Sequence, residues 1–132
     1  MNKLGTVMII DDEDIDQRQY LRILQRSGMT EDILQFAYAD DALQWLETHR
    51  ARRIDLILLD INMPRMNGFQ FLDALDALDD FPNVNIIMML TTSLAPQDQE
   101  KANAHKFVKG FLSKPLIQDH LVHAARLLSG TV

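Results

Sequence analysis

Residues 54–68, IDLILLDINMPRMNG, hold the pattern from which the rest of the chain can be interpreted. An apolar run ends at Asp60 and is followed by a turn that contains Pro64 and Gly68. Such a short apolar run is typical of a buried strand. A carboxylate at the end of a buried strand is costly unless a charged or hydrogen-bonding group meets it. Asp60 is therefore predicted to belong to a functional site.

Two other apolar segments are followed by charged residues in the same way. Asp11 and Asp12 come after the run at 7–10, and Lys114 follows another apolar stretch and precedes Pro115. If the strands are parallel and adjacent, these side chains form one site. Carboxylate oxygens are the ligands that hard divalent cations prefer. The pattern therefore predicts a site that holds such a cation beside a phosphorylatable aspartate.

The composition restricts the class of protein. With 132 residues, of which 47% are apolar, the chain can form one domain with a complete core. No run reaches the roughly 18–20 apolar residues of a membrane span. Met1 lies so close to the first predicted strand that we expect no signal peptide. The absence of cysteine excludes disulfides and thiolate metal sites. We expect a cytoplasmic protein that does not insert into membranes.

The charge distribution argues against nucleic acid as a direct partner. The formal net charge is -6, whereas binding to phosphate backbones requires clustered Lys and Arg. The one short basic cluster consists of Arg50, Arg52 and Arg53. We interpret it as a solvated helix end that complements the helix dipole, with a binding patch as the alternative.

Apolar runs alternate with segments of helical periodicity along the whole chain. The predicted strands are residues 6–10, 33–39, 56–59, 84–90 and 110–112. The predicted helices are residues 12–27, a second helix capped by Asp40 or Asp41, and residues 67–79, 96–106 and 117–129. Gly28 is the expected C-cap of the first helix, and Pro96 is expected at the start of the fourth.

Five strand-then-helix units predict an α/β fold, a doubly wound parallel sheet with helices on both faces. In such sheets ligands bind outside the carboxyl ends of the strands. The polar residues of interest all fall at predicted strand ends: Asp11, Asp12, Asp60, Thr91 and Lys114. The fold rule and the placement of polar residues thus predict the same site.

These motifs together resemble the receiver domains of bacterial response regulators. The resemblance rests on four motifs and spans essentially the whole chain, 1–132: Asp11-Asp12, the block 60–68 (DINMPRMNG), the block 90–93 (LTTS) and Lys114-Pro115. It implies a flavodoxin-like sheet of five strands in the order 2-1-3-4-5. It also implies a single-domain response regulator of two-component signalling, which acts as a phosphoacceptor and catalyses only its own phosphorylation and dephosphorylation.

The resemblance assigns the phosphoryl chemistry to Asp60. This residue would accept a phosphoryl group from a sensor histidine kinase or a histidine phosphotransfer protein. Mg²⁺ would be bound by Asp12, Asp60 and the backbone carbonyl of Asn62, with Asp11 acting through a metal-bound water. Lys114 would pair with Asp60 before phosphorylation and with the phosphoryl group afterwards.

The resemblance also implies a conformational switch. Thr91 would donate its hydroxyl to the phosphoryl group, and Phe111 occupies the aromatic switch position. The changed surface, formed by the fourth helix, fifth strand and fifth helix, would bind an unidentified downstream protein; a homodimer is left open. Asn62, Thr92 and Ser93 would tune the lifetime of the phosphorylated state. The Lys114-Pro115 peptide bond is expected to be cis.

Each residue taken singly has a structural alternative. Asp11 and Asp12 could cap the first helix, Asp60 and Thr91 could be plain strand-end or turn residues, and Phe111 could be a core aromatic. His120 and His123 share a helix face, but a metal site there would need further ligands.

Two other functions compete with the phosphoacceptor. A haloacid-dehalogenase-like phosphatase also uses a strand-end aspartate and Mg²⁺, but it needs a second aspartate two positions later. Asn62 stands at that position and cannot act as acid or base. A pseudo-receiver that only scaffolds would be expected to lack an acid or the lysine, and none is missing. Turnover of a small phosphate ester would favour the phosphatase, and failure to accept label from any phosphodonor would favour the scaffold.

Overall fold

The computed structural model describes residues 3–78, 83–92 and 95–130, in which five strands alternate with five helices. In chain order they are β1 (Gly5–Ile10), α1 (Asp14–Ser27), β2 (Thr30–Phe36), α2 (Ala39–Thr48), β3 (Ile54–Asp60), α3 (Gly68–Asp76), β4 (Val84–Thr91), α4 (Pro96–Asn103), β5 (Val108–Ser113) and α5 (Gln118–Ser129).

All neighbouring strands pair in parallel, and the order across the sheet is β2-β1-β3-β4-β5. This confirms the predicted doubly wound α/β class and the strand order. From β1 the chain runs to one side of the sheet, toward β2, and from β3 it runs to the other side, toward β4. A crevice therefore forms between the carboxyl ends of β1 and β3. That crevice is where a ligand of this fold is expected.

Helices cover both faces of the sheet, so the core has two halves. On one face, Met8, Ile57 and Met89 pack against α2 and α3 residues such as Leu46 and Phe71. On the other face, alternate residues of the same strands pack with side chains of α1 and α5, among them Tyr20, Leu24 and Leu121. Burial on both faces explains why β1, β3 and β4 appear as continuous apolar runs in the sequence.

The second strand and second helix differ from the sequence prediction. The strand covers Thr30–Phe36 rather than residues 33–39, and Ala39 already begins α2. As an edge strand, β2 exposes several side chains, so it lacks the apolar run that marks the central strands. The prediction that Asp40 or Asp41 caps α2 is wrong, because the N-cap is Tyr38 and both acids lie inside the first turn.

The other element boundaries agree more closely. Gly28 has φ 67° and is the C-cap of α1, and Pro96 begins α4, as predicted. Helix α1 begins at Asp14 with Glu13 as its N-cap, two residues later than predicted. Helices α3 and α4 end a few residues earlier than predicted, and the predicted end of α3 at Asp79 lies outside the described residues. Within the described ranges, none of the helices combines the length and apolar character of a membrane span.

Candidate phosphoacceptor site

The carboxyl ends of four strands bring the predicted polar residues together. Asp11 follows β1, Asp60 ends β3, Thr91 ends β4 and Lys114 follows β5. Three of these side chains belong to buried residues: Asp11 is 0%, Thr91 2% and Asp60 7% exposed. Buried polar groups persist only where they are partnered or serve a function, so this cluster is the principal candidate site.

The three predicted acidic residues form one compact group. Each of Asp11, Asp12 and Asp60 offers a carboxylate oxygen, and these oxygens lie within 4.8 Å of one another. No other group of three potential metal ligands occurs in the described ranges. Oδ1 of Asp12 is buried and has no hydrogen-bond partner among the described residues. A cluster of hard oxygen donors with one orphaned oxygen fits a divalent cation such as Mg²⁺.

Lys114 pairs with two members of the acidic group and with one further acid from α1. Its Nζ is 3.0 Å from Oδ2 of Asp11 and 3.3 Å from Oδ1 of Asp60. The closest partner is Oδ2 of Asp16 in α1, at 2.7 Å. The lysine side chain is 9% exposed, so its charge is held almost entirely by these three carboxylates. The predicted pairing with Asp60 is present, but Asp16 was not predicted.

Burial and mutual repulsion alter the acidity of the site. Burial, followed by the negative charge of Asp11, raises the pKa of Asp60 to about 6. Burial also raises the pKa of Asp11, although Glu13 N–H and Lys114 oppose this. Burial would lower the pKa of Lys114, but hydrogen bonds to Asp16 and Asp11, together with the charges of Asp11 and Asp60, raise the net pKa. The lysine is therefore a permanent cation, and a divalent cation would relieve the remaining repulsion.

Hydrogen bonds hold Asp11 in a fixed orientation. Its Oδ1 accepts from the Glu13 N–H at 3.0 Å, and its Oδ2 accepts from the Tyr20 hydroxyl at 3.1 Å. Gln17 donates to the backbone carbonyls of Asp11 at 2.8 Å and Phe36 at 2.9 Å, which joins the ends of β1 and β2. Neither Asp11 nor Asp12 caps α1, so the structural alternative for these acids is wrong.

The loop after Asp60 packs tightly against the end of β3. The Ile61 N–H donates to Oδ1 of Asp60 at 2.9 Å, and the Gly68 N–H donates to the Ile61 carbonyl at 2.8 Å. A Cβ at Gly68 would lie 2.5 Å from the Asp60 carbonyl oxygen, so only glycine fits. The turn after Asp60 thus fixes the position of this residue through its backbone.

Arg65 anchors the outer part of this loop to α2. It has φ 71°, a left-handed conformation that is uncommon for a residue with a side chain. Its guanidinium pairs with Asp40 at 2.7 Å and Asp41 at 3.1 Å and lies over the Tyr38 ring at 4.0 Å. The two acids expected to cap α2 therefore hold the loop that carries Asn62.

A cleft of about 380 Å³ opens above the acidic group. Asn62 and Thr92 line it together with Asp60 and Lys114, and Ile15 and Asp16 of α1 form another part of its wall. Two of the positions predicted to tune the phosphorylated state, Asn62 and Thr92, therefore flank access to Asp60, whereas Ser93 lies outside the described residues. The cleft is large enough to admit a phosphoryl group and water.

Strand β5 and the residue that follows it lie beside β4. The Lys114 N–H donates to the Thr91 carbonyl at 2.8 Å, and the Lys114-Pro115 peptide bond is cis, as expected. Phe111 pairs in register with Met89 of β4 and packs, partly buried, against the core. This placement is compatible with both readings of Phe111, a switch residue and a core aromatic.

The remaining candidates have structural partners. His120 Nδ1 accepts from the Ile117 N–H at 3.1 Å at the start of α5, and His120 belongs to no metal cluster among the described residues. Arg52 pairs with Asp32 at 2.9 Å and Arg53 with Asp55 at 2.8 Å. The interpretation as a helix end is wrong, because α2 ends at Thr48 and its last turn holds no basic residue. The pairing of Arg52 and Arg53 with acids argues against a nucleic-acid patch.

Asp16 and Tyr20 were missed in the sequence, although a signal was present. They lie four and eight residues after Asp12, a spacing that places residues on one face of a helix. Once α1 is known to begin beside the strand ends, its inward face must meet Asp11 and Lys114. The spacing alone does not say which face of α1 turns toward the sheet.

Comparisons with known proteins support the fold and show the family of the chain. The sequence model of the response regulator receiver domain family matches residues 7–126. A crystal structure of a two-component response regulator from Cytophaga hutchinsonii superposes with a TM-score of 0.89 and 30% identity, covering 97% of this chain and 98% of that one. The chemotaxis protein CheY4 of Vibrio cholerae superposes with a TM-score of 0.74 and 27% identity over 95% of this chain and 98% of its own.

Similar segments also occur inside much longer proteins. The chain is 30% identical over 122 residues to the autoinducer 1 sensor kinase/phosphatase LuxN of Vibrio campbellii, covering 92% of this chain but 13% of LuxN. It is 32% identical over 114 residues to the cyclic di-GMP phosphodiesterase response regulator RpfG of Xanthomonas campestris, covering 86% of this chain and 29% of RpfG. From the family match, the fold and the strand-end acids together, the chain belongs to the response regulator receiver domain family.

Proposed function

We propose that residues 1–132 form one receiver domain that accepts a phosphoryl group on Asp60 from a sensor histidine kinase or a histidine phosphotransfer protein. The observation that carries this proposal is the grouping of Asp60 with Asp11, Asp12 and Lys114 at the carboxyl ends of β1, β3 and β5. The similarity to segments of LuxN and of the sensor histidine kinase AruS supports a histidine kinase as the donor. The direct test is phosphorylation of Asp60 by a small-molecule donor.

In this proposal a carboxylate oxygen of Asp60 attacks the phosphorus, and the bond to the donor histidine nitrogen breaks to leave an acyl phosphate on Asp60. Phosphoryl transfer depends mainly on positioning and charge stabilisation. The Ile61 N–H holds one carboxylate oxygen of Asp60 in place, and Lys114 stands 3.3 Å from the same oxygen. Lys114 and the Thr91 hydroxyl would then stabilise the charge of the phosphoryl oxygens.

Mg²⁺ would be held by Asp12, Asp60 and the backbone carbonyl of Asn62, with Asp11 one water further away. Its contribution when bound is to neutralise charge on the transferring phosphoryl group. The buried oxygen of Asp12 without a hydrogen-bond partner supports Asp12 as a ligand. The tight packing of the loop after Asp60 supports Asn62, because it keeps that backbone beside the acids.

We expect Mg²⁺ to raise the melting temperature of the protein. A ligand that binds only the native state stabilises it by RT ln(1 + [L]/Kd), which is roughly 1.4 kcal/mol at ten times Kd. For a domain of this size that corresponds to a shift of about 5 °C. The measurement is thermal unfolding in EDTA and in a Mg²⁺ series.

Asp12→Ala should remove the Mg²⁺ response while raising the melting temperature in EDTA, because one of three repelling carboxylates is gone. Asp98→Ala, which removes a carboxylate from α4, should leave the response intact. A wild-type melting temperature that does not change with Mg²⁺ would contradict the proposed metal site.

We expect a long-lived acyl phosphate whose lifetime is set by Thr92. Hydrolysis needs a water in line with the bond between Asp60 and the phosphorus, and Thr92 lines the cleft through which that water would enter. Thr92→Ala should therefore speed the decay of phosphoprotein in Mg²⁺ roughly three- to tenfold, about 0.7–1.4 kcal/mol in barrier height.

The measurement follows the loss of phosphoprotein after the donor is removed, without any kinase. Asn62 could orient a water through its amide and so speed hydrolysis of the acyl phosphate, whereas Thr92 slows it. We propose that the steric effect of Thr92 on this rate is the larger of the two. Ser93 is the third residue that we propose to tune the lifetime of the phosphorylated state. Decay of Thr92→Ala at the wild-type rate, or more slowly, would show that Thr92 does not restrict access.

We propose that the phosphorylated state is recognised on the surface formed by α4, β5 and α5. Thr91 adjoins the segment that leads into α4, and Phe111 of β5 lies beside β4 in the sheet. Movement of Thr91 toward a phosphoryl group would therefore be transmitted to this surface and to a downstream protein partner. The acidic composition supports a protein rather than nucleic acid as that partner, and a cytoplasmic location accords with this role.

A further inference from the structure

Asp16 binds the ammonium group of Lys114 more closely than the phosphoacceptor does. The distances from Nζ are 2.7 Å to Asp16, 3.0 Å to Asp11 and 3.3 Å to Asp60. An ammonium group has three hydrogens to donate, and three carboxylates surround this one. Lys114 therefore already pairs with three carboxylates before any phosphoryl group is present.

Asp16 differs from the other two partners in its position. It lies in the first turn of α1, outside the acidic group of Asp11, Asp12 and Asp60, and its side chain is 31% exposed. A cation bound to the acidic group would offset the charges of Asp11 and Asp60. The pair of Asp16 and Lys114 would remain, because Asp16 offers no oxygen to that group.

The hydrogen-bond geometry of Lys114 leads to the same residue. Its Nζ donates to Asp16 at 2.7 Å and to Asp11 at 3.0 Å, whereas the 3.3 Å contact with Asp60 is an ion pair. Hydrogen bonds between charged partners are stronger than neutral ones. Asp16 is thus the carboxylate that a newly formed phosphoryl group must compete with.

We propose that Asp16 is a positioning residue that competes with the phosphoryl group on Asp60 for the ammonium of Lys114 and thereby limits how tightly the site holds that group. The inference rests on the proposed phosphoacceptor function. Two effects of Asp16 both weaken the binding of a phosphoryl group. An N–H donated to Asp16 is withheld from the phosphoryl oxygens, and the negative charge of Asp16 repels them. Removing the charge of Asp16 should therefore strengthen binding of a phosphoryl group.

The test measures equilibrium binding of beryllofluoride, which mimics a phosphoryl group on aspartate, at saturating Mg²⁺. Bound and free fluoride species are quantified by ¹⁹F NMR on the folded protein, so neither a kinase nor turnover enters the measurement. Asp16→Asn should bind roughly three- to tenfold more tightly than wild type, where tenfold corresponds to about 1.4 kcal/mol. Asp16→Ala, which also removes the acceptor oxygen, should show at least as large an increase.

Asp14→Asn is the matched control. It removes the same charge from the same turn of α1, but Asp14 is exposed and has no ion pair or hydrogen bond through its carboxylate to any described residue. We expect its affinity to change less than twofold. Asp16→Glu retains the charge within reach of Lys114 and should restore affinity toward the wild-type value, which a purely structural role of Asp16 does not predict.

The outcomes separate the two proposals. Wild-type binding of beryllofluoride with unchanged or weaker binding by both Asp16→Asn and Asp16→Ala would overturn the role of Asp16 alone. An equal gain in Asp14→Asn would also overturn it, because the effect would then be a general charge effect. Absence of beryllofluoride binding by the wild type would overturn the proposed function and this inference together.

Discussion

Asp60→Asn is expected to reduce covalent phosphorylation to background. Wild-type protein incubated with acetyl phosphate and Mg²⁺ should gain one phosphoryl group on Asp60, because this carboxylate lies among the acids and the lysine at the strand ends. Asparagine has the same shape but lacks the nucleophilic carboxylate. The labelled residue is located by mass spectrometry after borohydride trapping of the acyl phosphate.

Asp73→Asn serves as a control, since this exposed acid on α3 lies away from the site. Its labelling should match that of the wild type. Asp60→Asn should still fold, and circular dichroism would verify this, because the substitution removes a buried charge that is already unfavourable. Labelling of Asp60→Asn to the wild-type extent would mean that another residue accepts the phosphoryl group.

Of the substitutions proposed, Lys114→Met is expected to cause the largest loss of stability in the metal-free protein. The substitution leaves Asp11, Asp16 and Asp60 without the cation that they share. Removing one partner of a buried ion pair typically costs about 3–5 kcal/mol. Because Asp16 is partly exposed, we expect about 3 kcal/mol at pH 8 in EDTA, measured by urea unfolding.

The loss should depend on pH. The pKa of Asp60 in the folded protein is raised from 3.8 to about 6, so the folded state binds a proton more tightly than the unfolded state. The stability that protonated Asp60 contributes is thus fully present below about pH 4 and lost as pH rises through about 6. At pH 5 Asp60 is largely neutral, fewer charges are left unpaired, and Lys114→Met should cost less than at pH 8.

Lys109→Met is the matched control, because it removes a lysine from an exposed position of the same strand, β5. Its free energy of unfolding should change by less than about 0.5 kcal/mol. Mg²⁺ should recover part of the stability lost in Lys114→Met, since a cation would again offset the acids. Equal destabilisation at pH 5 and pH 8 would show that lost packing, rather than unpaired charge, explains the effect.

Much of the fold follows from local features of the sequence. The central strands β1, β3 and β4 are buried on both faces, so each appears as a continuous apolar run that ends at a polar residue. Gly28 and Pro96 mark helix ends through their own backbone preferences. The edge strand β2 was placed three residues too late, because one side of an edge strand faces solvent and its residues need not be apolar.

The residues at the strand ends were also predictable, because parallel strands bring their carboxyl ends to one edge of the sheet. Asp11, Asp12, Asp60, Thr91 and Lys114 could therefore be grouped before any coordinates were known. The same rule does not apply to residues contributed by helices. Asp40 and Asp41 resembled helix caps in the sequence, yet they bind Arg65 in the loop after β3.

The sequence by itself thus determined the α/β class, the order of its elements and the strand-end acids with their lysine, because burial and backbone preference act on neighbouring residues. Only the tertiary structure decided that Asp16 and Tyr20 face the site and that Arg65 ties the loop to α2. These contacts depend on how each helix is rotated against the sheet. That rotation is set by the packing of the whole core, so it cannot be deduced from any single segment of the sequence.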